Sequence, residues 1–191
     1  MSPEPTAPVH ATAPSRALPG GGAAHRHTLV AIVMNKTGVL NRVASLMRAR
    51  NFNIESLAVS HTDQPDISRM TLTLSGDDVA VEQATKQLYK LIDVLKVQDV
   101  TSEPVVSHEL ALIKVRVSER NRSEVIKVIE MHTGRIVDIA DTSVIVEASG
   151  PEAQIDALVA LLRTYGIKEI VRTGSVVMTR GAQSIEEAIR R

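Results

Sequence analysis

The sequence predicts an α+β protein: two tandem β-α-β-β-α-β sandwiches of the ferredoxin-like kind, in a chain of 191 residues. Three observations point there. Short apolar or alternating runs, suited to strands, exchange places with apolar residues at helical spacing. The order strand, helix, strand, strand, helix, strand is read over residues 27–103 and again over 104–180. Turn signals built on Gly, Pro, Asn or Asp separate the runs.

In the first unit, residues 29–34 (LVAIVM) form a short, wholly apolar run that suits a buried strand. Val39, Leu40, Val43, Leu46 and Met47 then recur at helical spacing, with Arg42, Arg48 and Arg50 on the other side. Residues 53–61 read as a second strand. A turn over 62–66 leads into a third at 67–75, where Met70, Leu72 and Leu74 alternate with Thr71 and Thr73. Gly76, Asp77 and Asp78 open a helix whose apolar face is Val81, Ala84, Leu88 and Leu91. Residues 94–100 close the unit. The first strand is apolar on both faces, yet helices cover only one. A second layer, or pairing of sheets through a dimer edge, is therefore expected.

The second unit repeats the order. Residues 110–117 read as a strand, and Asn121 with Glu124 stands at capping-box spacing before Val125, Val128, Ile129 and His132. Residues 135–139 and 143–148 form a hairpin around 140–142. Gly150 and Pro151 start a helix carrying Ile155, Leu158, Leu161 and Leu162. Residues 167–173 are the last full strand, and a short helix from Ser184 trails over 181–191. At the other end, residues 1–26 hold five of the eight prolines and the run Gly20-Gly21-Gly22. With no periodicity and little to bury, this stretch is expected to be a disordered tail. It has no apolar core of a secretory signal, though its few acids leave a transit-peptide reading open.

Composition narrows the function. Lys+Arg 22 balances Asp+Glu 22, so no net field draws the chain to nucleic acid or an anionic membrane. Zero cysteines removes disulfides, thiolate metal sites and a Cys nucleophile. Phe52, Tyr89 and Tyr165 are too few and too scattered for a base-stacking sheet. No run reaches membrane-spanning length, and a cytoplasmic location is the simplest expectation. The six histidines show no HExxH-type pairing; His25 and His27 are assigned to the tail or its border, and no metal site is expected.

One turn stands out. After residue 34 the chain passes through Asn35, Lys36, Thr37 and Gly38 and becomes helical by Val39. A helix start offers unpaired N–H groups and a positive dipole end, which together with the Asn35 amide suit a carboxylate. Gly38 lets a ligand approach the backbone. Asn53 at the start of the second strand can take an ammonium group, with Val39, Leu40 and Ile54 around a small aliphatic side chain. Such a pocket specifies a free amino acid. The competing reading is a well-made turn, with Thr37 as N-cap and Gly38 as turn residue.

The ordered combination NKTGVLNR, NIESL, SRMT and KLIDVLKV resembles the regulatory (small) subunit of acetolactate synthase, also called acetohydroxyacid synthase, over roughly residues 27–180. That resemblance implies an N-terminal ACT domain (27–103) and a second ferredoxin-like domain (104–180). It implies no chemistry in this chain and no cofactor of its own. The partner would be a catalytic large subunit that uses thiamine diphosphate, Mg2+ and FAD to make acetolactate from pyruvate. This chain would activate that subunit and confer feedback inhibition by valine, with leucine or isoleucine as further effectors. The family's effector site lies between two ACT domains of a homodimer. By matching positions it comprises Asn35, Lys36, Thr37, Gly38, Val39 and Leu40 at the turn, with Asn53 and Ile54 from the partner. A stand-alone ACT sensor acting on another enzyme or a transcription regulator is the alternative.

Overall fold

A computed structural model describes residues 25–182 and 184–187. The elements of the first unit are β1 (His25–Met34), α1 (Val39–Ala49), β2 (Asn53–His61), β3 (Ile67–Gly76), α2 (Asp78–Leu88) and β4 (Val94–Asp99). Those of the second are β5 (Val105–Arg116), α3 (Arg122–Met131), β6 (Arg135–Ala140), β7 (Ser143–Gly150), α4 (Glu152–Arg163) and β8 (Ile167–Arg172), followed by β9 (Val176–Thr179). Each unit closes into an antiparallel sheet, with strand orders β2-β3-β1-β4 and β6-β7-β5-β8. The two orders are equivalent, so the repeated pattern folds into a repeated α+β sandwich.

The alternation of β1 explains the layers. Its odd positions Leu29, Ala31 and Val33 join Val39, Val43 and Met47 of α1, Leu72 and Leu74 of β3, and Val81, Ala84 and Leu88 of α2 in one core. Ile113, Val115, Val125, Ile129, Val146, Ile155 and Leu162 do the same in the second unit. The even positions Val30 and Ile32 point the other way, as a strand's period of two requires. They are buried with Val100, Val177 and Ile185. The second layer expected for β1 thus comes from the same chain, through β9 and the segment after it.

Polar contacts flank this junction. Arg69 donates to the Val177 carbonyl at 2.8 Å and faces Glu186 at 3.4 Å. Arg26 bridges Glu55 at 2.8 Å and Glu152 at 2.9 Å; the hydrogen bond it donates to Glu152 is the main reason its pKa rises above the usual arginine value. Gly174, at φ +77°, lies so close to Ser56 that any side chain there would collide with its hydroxyl. Burying a Val or Ile side chain stabilises by about 1.5–3 kcal/mol, against about 0–1 kcal/mol for an exposed ion pair. The apolar cluster therefore holds the units together, and the ion pairs orient them.

The structure corrects the sequence reading in several places. The first strand begins at His25 rather than inside a tail ending at 26; the rest of the expected tail lies outside the described residues. β5 begins at Val105, and its first third, Val105–His108, pairs with β9, a strand the periodicity did not reveal. The capping box of α3 does not form: Asn121 Oδ1 accepts from the Ser118 N–H at 2.7 Å, and Glu124 accepts from the Tyr165 hydroxyl. Beyond Ser184 the chain turns at Ile185 and Glu186 and takes a 3₁₀ conformation at Glu187; the rest of the short helix expected there, residues 188–191, lies outside the described residues.

Candidate functional site

The turn after β1 is held from behind. The Asn35 N–H donates to the Asp66 carbonyl at 2.7 Å and the Lys36 N–H to the Met34 carbonyl at 3.0 Å. Gly38 then takes φ 87°, ψ −6°, the left-handed conformation that a side chain disfavours, and α1 starts without any side-chain cap. Thr37 is accordingly not the N-cap. Val39 N–H reaches the Lys36 carbonyl and Arg42 N–H the Gly38 carbonyl. The N–H groups of Thr37, Gly38, Leu40 and Asn41 have no protein acceptor among the described residues.

Lys36, Thr37 and Gly38 are exposed and Leu40 is 44% exposed, so they are open to a ligand. Val39 is only 3% exposed and belongs to the core, where it supports the turn rather than lining a surface. The Arg42 guanidinium lies 3.9 Å from where a Cβ on Gly38 would stand, and it pairs with the buried Asp93 at 3.0 Å. A cation beside a helix start with unbonded N–H groups makes this corner receptive to an anion.

Asn35 has a different part from the one its position suggests. Its amide nitrogen donates to the Pro65 carbonyl at 2.9 Å and meets His61 Nδ1 at 3.2 Å. With both amide hydrogens engaged, only Oδ1 remains, which accepts and cannot hold a carboxylate. His61 and Pro65 were not singled out from the sequence. The signal available was topological: in this strand order the β2–β3 turn must arrive beside the end of β1.

Asn53 and Ile54 lie elsewhere. Asn53 pairs with Ser75, as does Arg26 near the start of β1. The start of β2 is therefore at the end of the sheet opposite Asn35. A strand advances about 3.3 Å per residue, so the length of β2 puts the two about 30 Å apart. Within one chain the two halves of the expected site are not brought together. β2 is, however, an edge strand of its sheet.

A cleft of about 520 Å³ between the units is lined by Arg26, Glu55, Glu109, Glu152 and Arg172. Its charges answer one another: Arg172 binds Glu109 and also Asp156, the latter at 2.7 Å. No helix among the described residues is long and apolar enough to cross a membrane.

Comparison with known proteins places the chain. Residues 29–96 match the family model described as the AHAS small subunit-like ACT domain, and 108–181 that of the small subunit of acetolactate synthase. A probable acetolactate synthase small subunit of Archaeoglobus fulgidus is 48% identical over 156 residues, covering 82% of this chain and 98% of that protein. The acetolactate synthase small subunit of Aquifex aeolicus is 44% identical over 167 residues, 87% of each chain. The crystal structure of the Thermotoga maritima small subunit superposes with a TM-score of 0.77 at 36% identity, covering 83% of this chain and 99% of that one. The same two-unit fold, matched along nearly its whole described length, makes this chain a member of the acetolactate synthase small-subunit family.

Proposed function

We propose that this chain is the regulatory subunit of a cytoplasmic acetolactate synthase: it activates a thiamine-diphosphate catalytic subunit and makes it sensitive to valine. The catalytic subunit would carry the thiamine diphosphate, Mg2+ and FAD, and the chemistry would be its own. The observation that carries the effector site is the uncapped start of α1 at a left-handed Gly38, with Arg42 beside it and its N–H groups unbonded. The valine carboxylate would sit on the N–H groups around Gly38 and Leu40. Asn35 Oδ1 would take the ammonium, in place of the carboxylate role its position first suggests.

The separation of Asn53 from Asn35 supports a site shared by two copies. Antiparallel pairing of two β2 edges brings the start of one β2 beside the end of the other. Asn53 and Ile54 of one copy would then face the turn 35–40 of its partner. Because the pocket would be divided between chains, valine would favour one packing of the dimer. It can inhibit only if that packing and the active one differ in affinity for it. A coupling of about 1–3 kcal/mol suffices.

The test is reconstitution with a catalytic subunit, measuring acetolactate formation with and without L-valine. Wild type should raise the rate and confer inhibition; Gly38→Asp should still raise the rate but no longer respond to valine. Failure of wild type to stimulate would remove the proposed partner. Full valine sensitivity of Gly38→Asp would instead move the effector site elsewhere.

A further inference from the structure

The far end of β1 holds a second cluster of chemistry. His25 and His27 sit two residues apart on the helix-facing side, in line with Leu29 and Ala31. Across from them α2 begins: Asp77 caps it by accepting from the Ala80 N–H at 2.7 Å, leaving the Asp78 carboxylate to face the imidazoles. Asp78 Oδ1 is 3.2 Å from His25 Nε2 and 3.7 Å from His27 Nε2, and the three ligand atoms lie within 4.8 Å of one another. Two donors on a tetrahedral ion with bonds of about 2.0–2.1 Å are about 3.4 Å apart. The measured separations bracket that edge.

His27 supplies the independent observation. It is 2% exposed, and its Nε2 has no hydrogen-bond partner, an unfavourable state for a buried polar atom. Its other nitrogen, Nδ1, stands 3.5 Å from Asp99 Oδ2 and 3.5 Å from the Thr101 hydroxyl. A carboxylate behind one ring nitrogen holds the proton there and turns the lone pair of the other toward the cluster, as in carboxylate–histidine–metal arrangements. A cation held between the two imidazoles and Asp78 would give His27 Nε2 the partner it lacks.

We propose that His25, His27 and Asp78 bind a divalent transition-metal ion of the Zn2+ type, with Asp99 as the positioning carboxylate behind His27. Two imidazoles and one carboxylate suit such ions better than Mg2+ or Ca2+, which prefer oxygen. The ion ties the entry of β1 to the start of α2, with the end of β4 behind it, at the end of β1 opposite Asn35. It is thus a structural clip formed within one chain, on the same end of the sheet as Asn53 but sharing no residue with the effector site.

The test is titration of Zn2+ into the full, tag-free, chelator-stripped chain by calorimetry, with melting temperature followed in parallel. Wild type should bind one ion per chain and melt higher with it. His25→Ala and Asp78→Asn change exposed or half-exposed groups and should fold normally, but bind at least tenfold more weakly and lose the metal-dependent rise in melting temperature. Asp99→Asn should weaken binding roughly tenfold. Absence of saturable binding in wild type overturns the proposal. So does one-ion binding that survives both His25→Ala and Asp78→Asn, which would assign the ion to other histidines.

Discussion

The turns that follow β1 and β5 occupy the same place in the same topology and differ in how the loop before the helix is held. After β5 the loop closes on itself. Ser118 N–H donates to Asn121 Oδ1, Asn121 and Arg122 N–H both reach the Ser118 carbonyl, and the Arg122 guanidinium covers the carbonyls of Ala140 and Asp141. After β1 the helix starts on a left-handed glycine, no side chain caps it, and four neighbouring N–H groups have no protein acceptor among the described residues. Neither α1 nor α3 has a side-chain cap, so an uncapped helix start is common to both units; what sets the first turn apart is the left-handed Gly38 with the Arg42 guanidinium beside it.

That comparison requires equivalent scaffolds beneath the turns. Leu72→Ala in the first core and Ile113→Ala in the second remove fully buried side chains and should each cost about 2–5 kcal/mol, read from urea denaturation midpoints. A loss near zero in either would break the equivalence. At the first turn, Gly38→Ala places a side chain at φ 87° and should cost about 1–2 kcal/mol. Gly38→Asn should cost less, because Asn tolerates that conformation, while still removing the valine response; equal losses would mean that backbone strain is not what Gly38 relieves. Smaller again, Asp77→Ala should cost about 1 kcal/mol by uncapping α2, while Thr37→Ala should stay within about 0.5 kcal/mol because Thr37 caps nothing.

The smallest expected effect concerns an exposed pair on α2. The Lys86 hydrogen bond holds the Glu82 carboxyl below its usual pKa. A lowered folded-state pKa contributes stability that is present above the unfolded value and lost as pH falls through the folded one. Melting curves of wild type and Glu82→Gln should therefore differ at neutral pH and converge in acid. A difference that grew on acidification would reverse the assigned direction.

Much of this was legible locally. Met70, Leu72 and Leu74 announced the inner face of β3, and Val125 and Ile129 the inner stripe of α3, because those faces meet their own unit's core. β9 was not legible: Val176–Thr179 is four residues long and acquires its meaning only by pairing with the start of β5. The turn at Asn35–Leu40 was visible as a motif, but not that Asn35's amide is held by Pro65 and His61, which arrive from the β2–β3 turn. His25 read as tail because its neighbours in sequence carry no pattern; its neighbour in space, Asp78, opens a helix that three elements separate from β1 along the chain.

By itself, then, the sequence determined the two repeated units, the helix and strand faces, the turn with its glycine and the resemblance to one family. Each of these depends on residues close together in the chain, where the periods of 3.6 and 2 and the conformational freedom of glycine act directly. Only the tertiary structure decided that β9 and Ile185 cover the outer face of β1, that Asn35 and Asn53 stand at opposite ends of one sheet, and that His25, His27 and Asp78 converge. Those depend on strand order and register, which bring distant segments together through backbone pairing that no local pattern encodes.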